Sequence, residues 1–121
     1  MRYLVDTHVF LWWLAGDKKL PDSFRSVIEN PQNQVFISVA SFWEISIKTK
    51  QGKLPLKTTL LECFRKSAFE TLDIKSSHVL TLDRLQMYHK DPFDRILIAQ
   101  AKTEKLTILT VDPKIRKYFP Q

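Results

Sequence analysis

Glycine is nearly missing from this 121-residue chain, which has only Gly16 and Gly52. A phosphate cradle of the P-loop or dinucleotide-binding type needs several glycines, because the backbone must approach the phosphates closely. That class of site is excluded, and any phosphate chemistry must use side chains or a metal ion. Cysteine is also scarce. Cys63 stands alone, so no intrachain disulfide can form. With an N-terminus that reads as a strand rather than a targeting segment, this points to a reducing cytoplasm. The three histidines, His8, His78 and His89, show no ligand spacing, which argues against a zinc site. No apolar run reaches the roughly 18 residues of a membrane span, so none is expected.

What the chain does have is an ordinary globular composition, 44% hydrophobic and 26% charged. Its length predicts one domain over residues 1–121, long enough to bury its own core. Lysine and arginine number 19 against 13 aspartates and glutamates, for a formal charge of +6. A basic surface suits a polyanionic partner such as nucleic acid, and also plain solubility.

The apolar pattern predicts strands alternating with helices. Arg2–Val5 is a short apolar run ending at Asp6 and reads as a buried strand. A helix over Thr7–Ala15 stops at Gly16-Asp17. Pro21-Asp22-Ser23 opens a second helix to about Asn30, and Pro31-Gln32-Asn33 is turn chemistry. Gln34–Ile37 is a second strand. Ser38 or Ser41 caps a third helix to Lys50, with Gly52 beyond its end. Thr58–Phe69 is an amphipathic helix with Leu60, Leu61 and Phe64 on one face. Thr71–Ile74 is a short strand and Ser76–Leu82 a short helix. Asp91-Pro92 supplies an N-cap and an N1 proline for a strong helix through Lys105. Residues 105–111 form the last strand, ending at Asp112-Pro113. Such alternation predicts an α/β fold, a parallel sheet with helices on both faces. Ligands then bind beyond the carboxyl ends of the strands.

Four acids fall at that edge. Asp6 follows the first strand and Asp112 the last. Glu44 lies on the second turn of the helix after the second strand, and Asp94 in the first turn of the helix opened by Asp91-Pro92. Each alone has an ordinary structural reading. Asp6 and Asp112 suit turns or caps, Asp91 is a cap with Asp94 as its N3 partner, and Glu44 can pair with Lys48 at i+4. Together they would repel unless protonated or neutralised by a cation. A hard, oxygen-seeking ion, Mg²⁺ or Mn²⁺, is the natural partner. Such ions activate water and stabilise the leaving oxygen in phosphodiester cleavage.

Several stretches carry a resemblance to a known family. These are Leu4-Val5-Asp6-Thr7-His8, Ser38-Val39-Ala40-Ser41-Phe42-Trp43-Glu44-Ile45, His89-Lys90-Asp91-Pro92-Phe93-Asp94-Arg95 with Leu97-Ile98-Ala99-Gln100-Ala101, and Leu109-Thr110-Val111-Asp112. Over essentially the whole chain the sequence resembles the PIN-domain family, and within it the VapC-like toxins of bacterial toxin–antitoxin pairs. The resemblance implies an α/β/α sandwich around a five-stranded parallel sheet. It also implies metal-dependent endoribonuclease activity and inhibition by a cognate antitoxin protein. The family's acids fall on Asp6, Glu44, Asp94 and Asp112. Asp94 is preferred to Asp91 because it stands three residues before Leu97-Ile98-Ala99, and Asp91 is kept as the alternative. The family's small hydroxyl falls on Thr7, Ser41 or Thr110, and Thr7 is expected to touch the substrate.

Around these acids, Lys48, Lys50, Lys53 and Lys57 could hold RNA phosphates or simply end a helix favourably. Lys114, Arg116 and Lys117 offer the same choice. Arg95 could neutralise the acids, touch a phosphate or pair with Asp91. His8 is a candidate general acid or a plain positional residue. Trp12 and Trp13 are adjacent on one helix and cannot both face one core, so one is expected at an interface, either of a homodimer or with an antitoxin. Two rival readings stay open. A receiver-type signalling domain also clusters acids at strand ends, but it has paired acids after the first strand and a late lysine. A non-catalytic PIN-like module would bind nucleic acid or protein without cleaving it.

Overall fold

The computed structural model describes residues 1–120. Its strands are β1 (Arg2–Val5), β2 (Gln34–Ser38), β3 (Glu70–Leu72) and β4 (Thr107–Leu109). Its helices are α1 (Thr7–Ala15), α2 (Asp22–Glu29), α3 (Val39–Lys50), α4 (Leu60–Lys66), α5 (Ser76–Asp83), α6 (Pro92–Glu104) and α7 (Pro113–Arg116). The strands form one sheet in the order β3-β2-β1-β4, and every pairing is parallel.

The alternation of side chains along the strands makes this a three-layer structure. Successive residues of a strand point to opposite faces. Val5 and Ile37, adjacent in register, join Phe10, Phe42 and Ile45 in one core beneath α1 and α3. Their neighbours Leu4 and Phe36 join Leu97, Ala101 and Leu106 in a second core beneath α6. Both faces are thus covered, as parallel sheets require. No helix is long and apolar enough to cross a membrane among the described residues.

The strand order also selects a site. From β1 the chain winds to β2 and β3 on one side, while β4 lies on the other. The winding direction therefore reverses between β1 and β4, where doubly wound sheets open a crevice at their carboxyl edge. Asp6 stands at that point, its N–H extending the ladder to the Leu109 carbonyl at 3.1 Å.

Local chemistry explains the boundaries. Ser38 rather than Ser41 caps α3, its hydroxyl accepting the Ala40 N–H at 3.0 Å. The Ser41 hydroxyl is engaged by Thr7 at 2.9 Å. Gly16 ends α1 in the left-handed conformation, φ 61°. Lys105 does the same for α6 at φ 58°, and this reversal delays the start of the last strand, which spans Thr107–Leu109 rather than the expected 105–111.

Some expectations change. The sheet has four strands among the described residues, not five. The expected helix over 58–69 is only Leu60–Lys66. Thr59 caps it, and the Ser67 hydroxyl accepts the Phe69 N–H at 3.2 Å, turning the chain toward β3. Its inward residue is Cys63, fully buried, while Leu61 is 58% exposed. Phe64 lies flat on Phe42, ring centroids 3.8 Å apart. Trp12 and Trp13 are both half-buried against the same core, so neither stands out as an interface residue. The exposed tryptophan is Trp43, at 57%. The short helix α7, capped by Asp112 with Pro113 at its head, repeats the Asp91-Pro92 signal on a smaller scale and was not anticipated.

Gly16 offers a clean stability test. A Cβ there meets nothing within 4 Å, so Gly16→Ala should cost only the left-handed backbone penalty, about 1–2 kcal/mol. Urea unfolding should show a lowered midpoint with an unchanged m-value.

Candidate metal centre

Three of the aspartates at this edge are helix caps. Asp6 caps α1, its Oδ1 accepting the Val9 N–H at 2.8 Å. Asp112 caps α7 through Oδ1 and the Lys114 N–H, also 2.8 Å. Asp91 caps α6 with Oδ1, which accepts the N–H groups of Phe93 and Asp94 at 2.9 and 3.0 Å. Capping explains why aspartate stands where each strand or loop turns into a helix. For Asp6 and Asp112 it also engages one carboxylate oxygen and fixes the direction of the other.

Asp94 sits one turn into α6 and is the centre of the group. Burial raises its pKa first, and the negative charges of Asp91, Glu44 and Asp6 add to the effect, pushing it up to about 6. That response locates the other acids electrostatically around Asp94. Asp6, only 3% exposed, is likewise held above the usual carboxylate range, chiefly by burial. Thr110 ties two acids together. Its hydroxyl accepts the Asp112 N–H at 3.0 Å and, beside Asp6, partly offsets the effect of burial on that acid.

Glu44 lies on the second turn of α3, 3% exposed. Its Oε2 pairs with Lys48 Nζ at 2.5 Å. Its Oε1 is buried and has no hydrogen-bond partner among the described residues. Leaving a buried carboxylate oxygen unpaired is costly, and a cation bound there would satisfy it. The donors are mainly carboxylate oxygens, which suit a hard divalent ion.

His89 completes the group, a residue given no role in the site by its sequence position. Its Nε2 lies 3.0 Å from Asp94 Oδ2 and 3.1 Å from Asp112 Oδ2. Candidate ligand atoms of His89, Asp94 and Asp112 all fall within 4.8 Å of one another. The only sequence hint is its place two residues before Asp91, whose N–H its Nδ1 accepts at 3.1 Å. Its decisive partner, Asp112, lies 23 residues away.

Other expected site residues are engaged elsewhere. Thr7, considered for substrate contact, is 5% exposed and donates its hydroxyl to Ser41 at 2.9 Å, tying α1 to α3. Arg95 forms no pair with Asp91. Its guanidinium donates to the carbonyls of Gln86 (2.9 Å), His89 (3.2 Å) and Leu82 (3.4 Å) and to the Tyr118 hydroxyl (3.3 Å). It anchors the segment leading into α6 rather than reaching for a phosphate. Lys48 is placed at the acids, but as the partner of Glu44. Arg116 donates to the Thr110 carbonyl at 3.0 Å, and Lys117 lies over the Tyr88 ring. His8 is exposed and acts on Asp6 only through its charge. Trp43 meets Phe93 edge-on, centroids 5.3 Å apart, joining the residue before Glu44 to the residue before Asp94.

The raised pKa of Asp94 has a definite sign in stability. An acid whose folded value lies above its unfolded value binds extra protons in the native state. Its stabilising contribution is complete below about pH 4 and is lost as pH rises through about 6. Asp94→Asn removes this dependence. In EDTA, urea unfolding should show the variant gaining on the parent from pH 4 to pH 7, with the gap closing again in acid. A gap independent of pH would contradict the charge crowding.

Known proteins agree with this architecture. The family model described as PIN domain matches residues 3–119. The ribonuclease VapC22 of Mycobacterium tuberculosis is 25% identical over 118 residues, spanning 95% of this chain and 90% of that protein. VapBC2 from Rickettsia felis, solved bound to a DNA fragment from its promoter, superposes with a TM-score of 0.70 at 18% identity, covering 98% of this chain and 94% of that one. A toxin–antitoxin complex from Klebsiella pneumoniae gives 0.67 at 20% identity, covering 98% and 92%. The receiver-type reading falls with these matches. A sheet whose switch point gathers Asp6, Glu44, Asp94 and Asp112, in a chain matched almost end to end, makes this protein a member of the PIN domain family.

Proposed function

We propose that this protein is a metal-dependent endoribonuclease of the VapC type, cleaving RNA phosphodiester bonds at the cluster of Asp6, Glu44, Asp94 and Asp112. The observation that carries this reading is the pairing of a crowded Asp94 with an unpartnered, buried Glu44 Oε1. Both are what a divalent-ion site looks like before the ion enters. Family membership supports a nuclease, and the curated relative named a ribonuclease supports RNA as substrate.

Asp6, Asp94 and Asp112 would hold Mg²⁺ or Mn²⁺, with Glu44 as a further ligand or as the group that orients the attacking water. The bound ion supplies a Lewis acid for the phosphate and a more acidic water. The chain's own groups do the rest. The caps on Asp6 and Asp112 fix their remaining oxygens toward the crevice. Lys48 offsets the charge of Glu44, so the site carries less surplus negative charge when RNA approaches. The excess of lysine and arginine, 19 against 13 acids, attracts the phosphate backbone. Lys48, close to Glu44, is also the nearest of the expected substrate lysines to the acids.

A cognate antitoxin and a second copy of the chain are the protein partners proposed with this activity, in the cytoplasm. The structural neighbours are themselves toxin–antitoxin assemblies. Exposed Trp43, Leu61, Phe64 and Met87 are apolar groups that a protein partner would cover.

The test is cleavage of a mixed RNA pool by purified protein with Mg²⁺, Mn²⁺ or EDTA. Cleavage should need the ion, and Asp6→Asn or Asp94→Asn should lower it by about 100-fold or more, beyond the loss typical of residues that only support ligands. Both variants keep a side chain of the same shape, so folding should survive. Cleavage that persists in EDTA, or in the doubly substituted protein, would refute the assignment.

A further inference from the structure

We infer that His89 is the positioning residue of this centre: its Nε2–H binds Asp112 and holds it beside Asp94, and its ring does not ligate the ion. The inference rests on the reading of the acids as a metal site and assigns a role within it that the acids alone do not reveal.

The argument begins with the ring's other nitrogen. Nδ1 accepts the Asp91 N–H at 3.1 Å, and a nitrogen that accepts a hydrogen bond carries no proton. The ring proton of this arrangement is therefore on Nε2. That atom faces Asp94 Oδ2 at 3.0 Å and Asp112 Oδ2 at 3.1 Å. Its hydrogen bond goes to Asp112, and Asp94 lies in close contact with the same nitrogen, so the N–H stands between two carboxylates that would otherwise repel. A ligating imidazole needs the opposite arrangement, a bare nitrogen toward the ion and a proton on the far side. Here the far side is closed by a backbone donor, so ligation would require breaking the Asp91 bond and moving the proton.

The backbone of His89 is held as firmly as its ring. Its N–H donates to the Tyr118 hydroxyl at 2.9 Å, and its carbonyl accepts from Arg95 at 3.2 Å. The same hydroxyl donates to the Gln86 carbonyl at 2.6 Å. His89 is 9% exposed, leaving the ring little freedom to turn over. The Tyr118–Arg95 network therefore sets the clamp, and the clamp sets the spacing of two acids that belong to different helices. Each carboxylate oxygen keeps a second lone pair, so accepting the N–H does not prevent it from meeting a cation.

Two measurements test this. The first is the long-range ¹H–¹⁵N spectrum of the imidazoles in the parent protein, in EDTA and with Mg²⁺. His89 should carry its proton on Nε2 in both conditions. His78 gives an internal reference, because its Nδ1 accepts the Lys75 N–H at 2.9 Å far from the acids in sequence. Loss of the His89 Nε2 proton on adding the ion would make the ring a ligand and overturn the inference. The second is Mn²⁺ titration by calorimetry. His89→Ala should weaken binding by roughly 10–100-fold. His89→Gln, whose amide N–H₂ falls near the Nε2 position, should recover most of that loss. Equal affinity in the parent and the alanine variant would overturn the clamp while leaving the metal site standing. A parent protein that binds no Mn²⁺ would overturn the metal site itself, and the clamp's role with it.

Discussion

Like charges crowded beneath a sheet edge are the constraint on which this structure turns. Asp6, Glu44, Asp91, Asp94 and Asp112 gather at one crevice, and burial there costs Asp6, Glu44 and Asp94 much of their hydration. The fold bears this because nearly every acid has a second attachment. Asp6, Asp91 and Asp112 each take backbone N–H groups at a helix start. Glu44 takes Lys48. Asp112 takes the N–H of His89, and Asp94 lies against the same nitrogen. These neutral or positive donors compensate the charge only in part, as the raised Asp94 shows. What is left uncompensated would favour a bound cation.

The sheet and the site are consequences of one another. Strand β1 ends at Asp6 in the middle of the sheet because both of its neighbours are parallel and nearly flush with it. The reversal of winding beside β1 brings the Asp112 turn next to the Asp6 turn. α6 then crosses the second core with Leu97 and Ala101 buried, and its capped N-terminus delivers Asp94. Packing of ordinary apolar residues thus determines where the acids meet. Substituting a core leucine would disturb the site only by way of the helix it anchors.

Most of this was legible in the amino-acid order, and the failures have a common cause. Runs such as Tyr3-Leu4-Val5 and Val35-Phe36-Ile37 announce buried strands, and Asp91-Pro92 announces a helix start. These signals are local, so α1, α3 and α6 fall where the pattern puts them. The four acids could be picked out because each follows such a signal. Thr7, Arg95 and His89 depend instead on partners far along the chain. Whether a threonine hydroxyl reaches a substrate or Ser41, thirty-four residues on, is decided by helix packing. Arg95 beside Asp94 looks like a charge partner, yet the loop carbonyls and Tyr118 claim it. The start of β4 differs because Lys105, a residue with no special turn preference, takes the left-handed cap.

The capping aspartates have a consequence for how such a centre can decay. Asparagine caps a helix about as well as aspartate, but it brings no charge to a cation. On the proposed nuclease reading, a descendant of this chain freed from selection for cleavage could exchange Asp6 or Asp112 for asparagine with its helices still properly begun. Glu44 has no such exit, since a neutral replacement strands Lys48 without its partner. Inactive descendants should therefore drift first at the strand-end aspartates and keep the glutamate–lysine pair as a fossil of the lost chemistry.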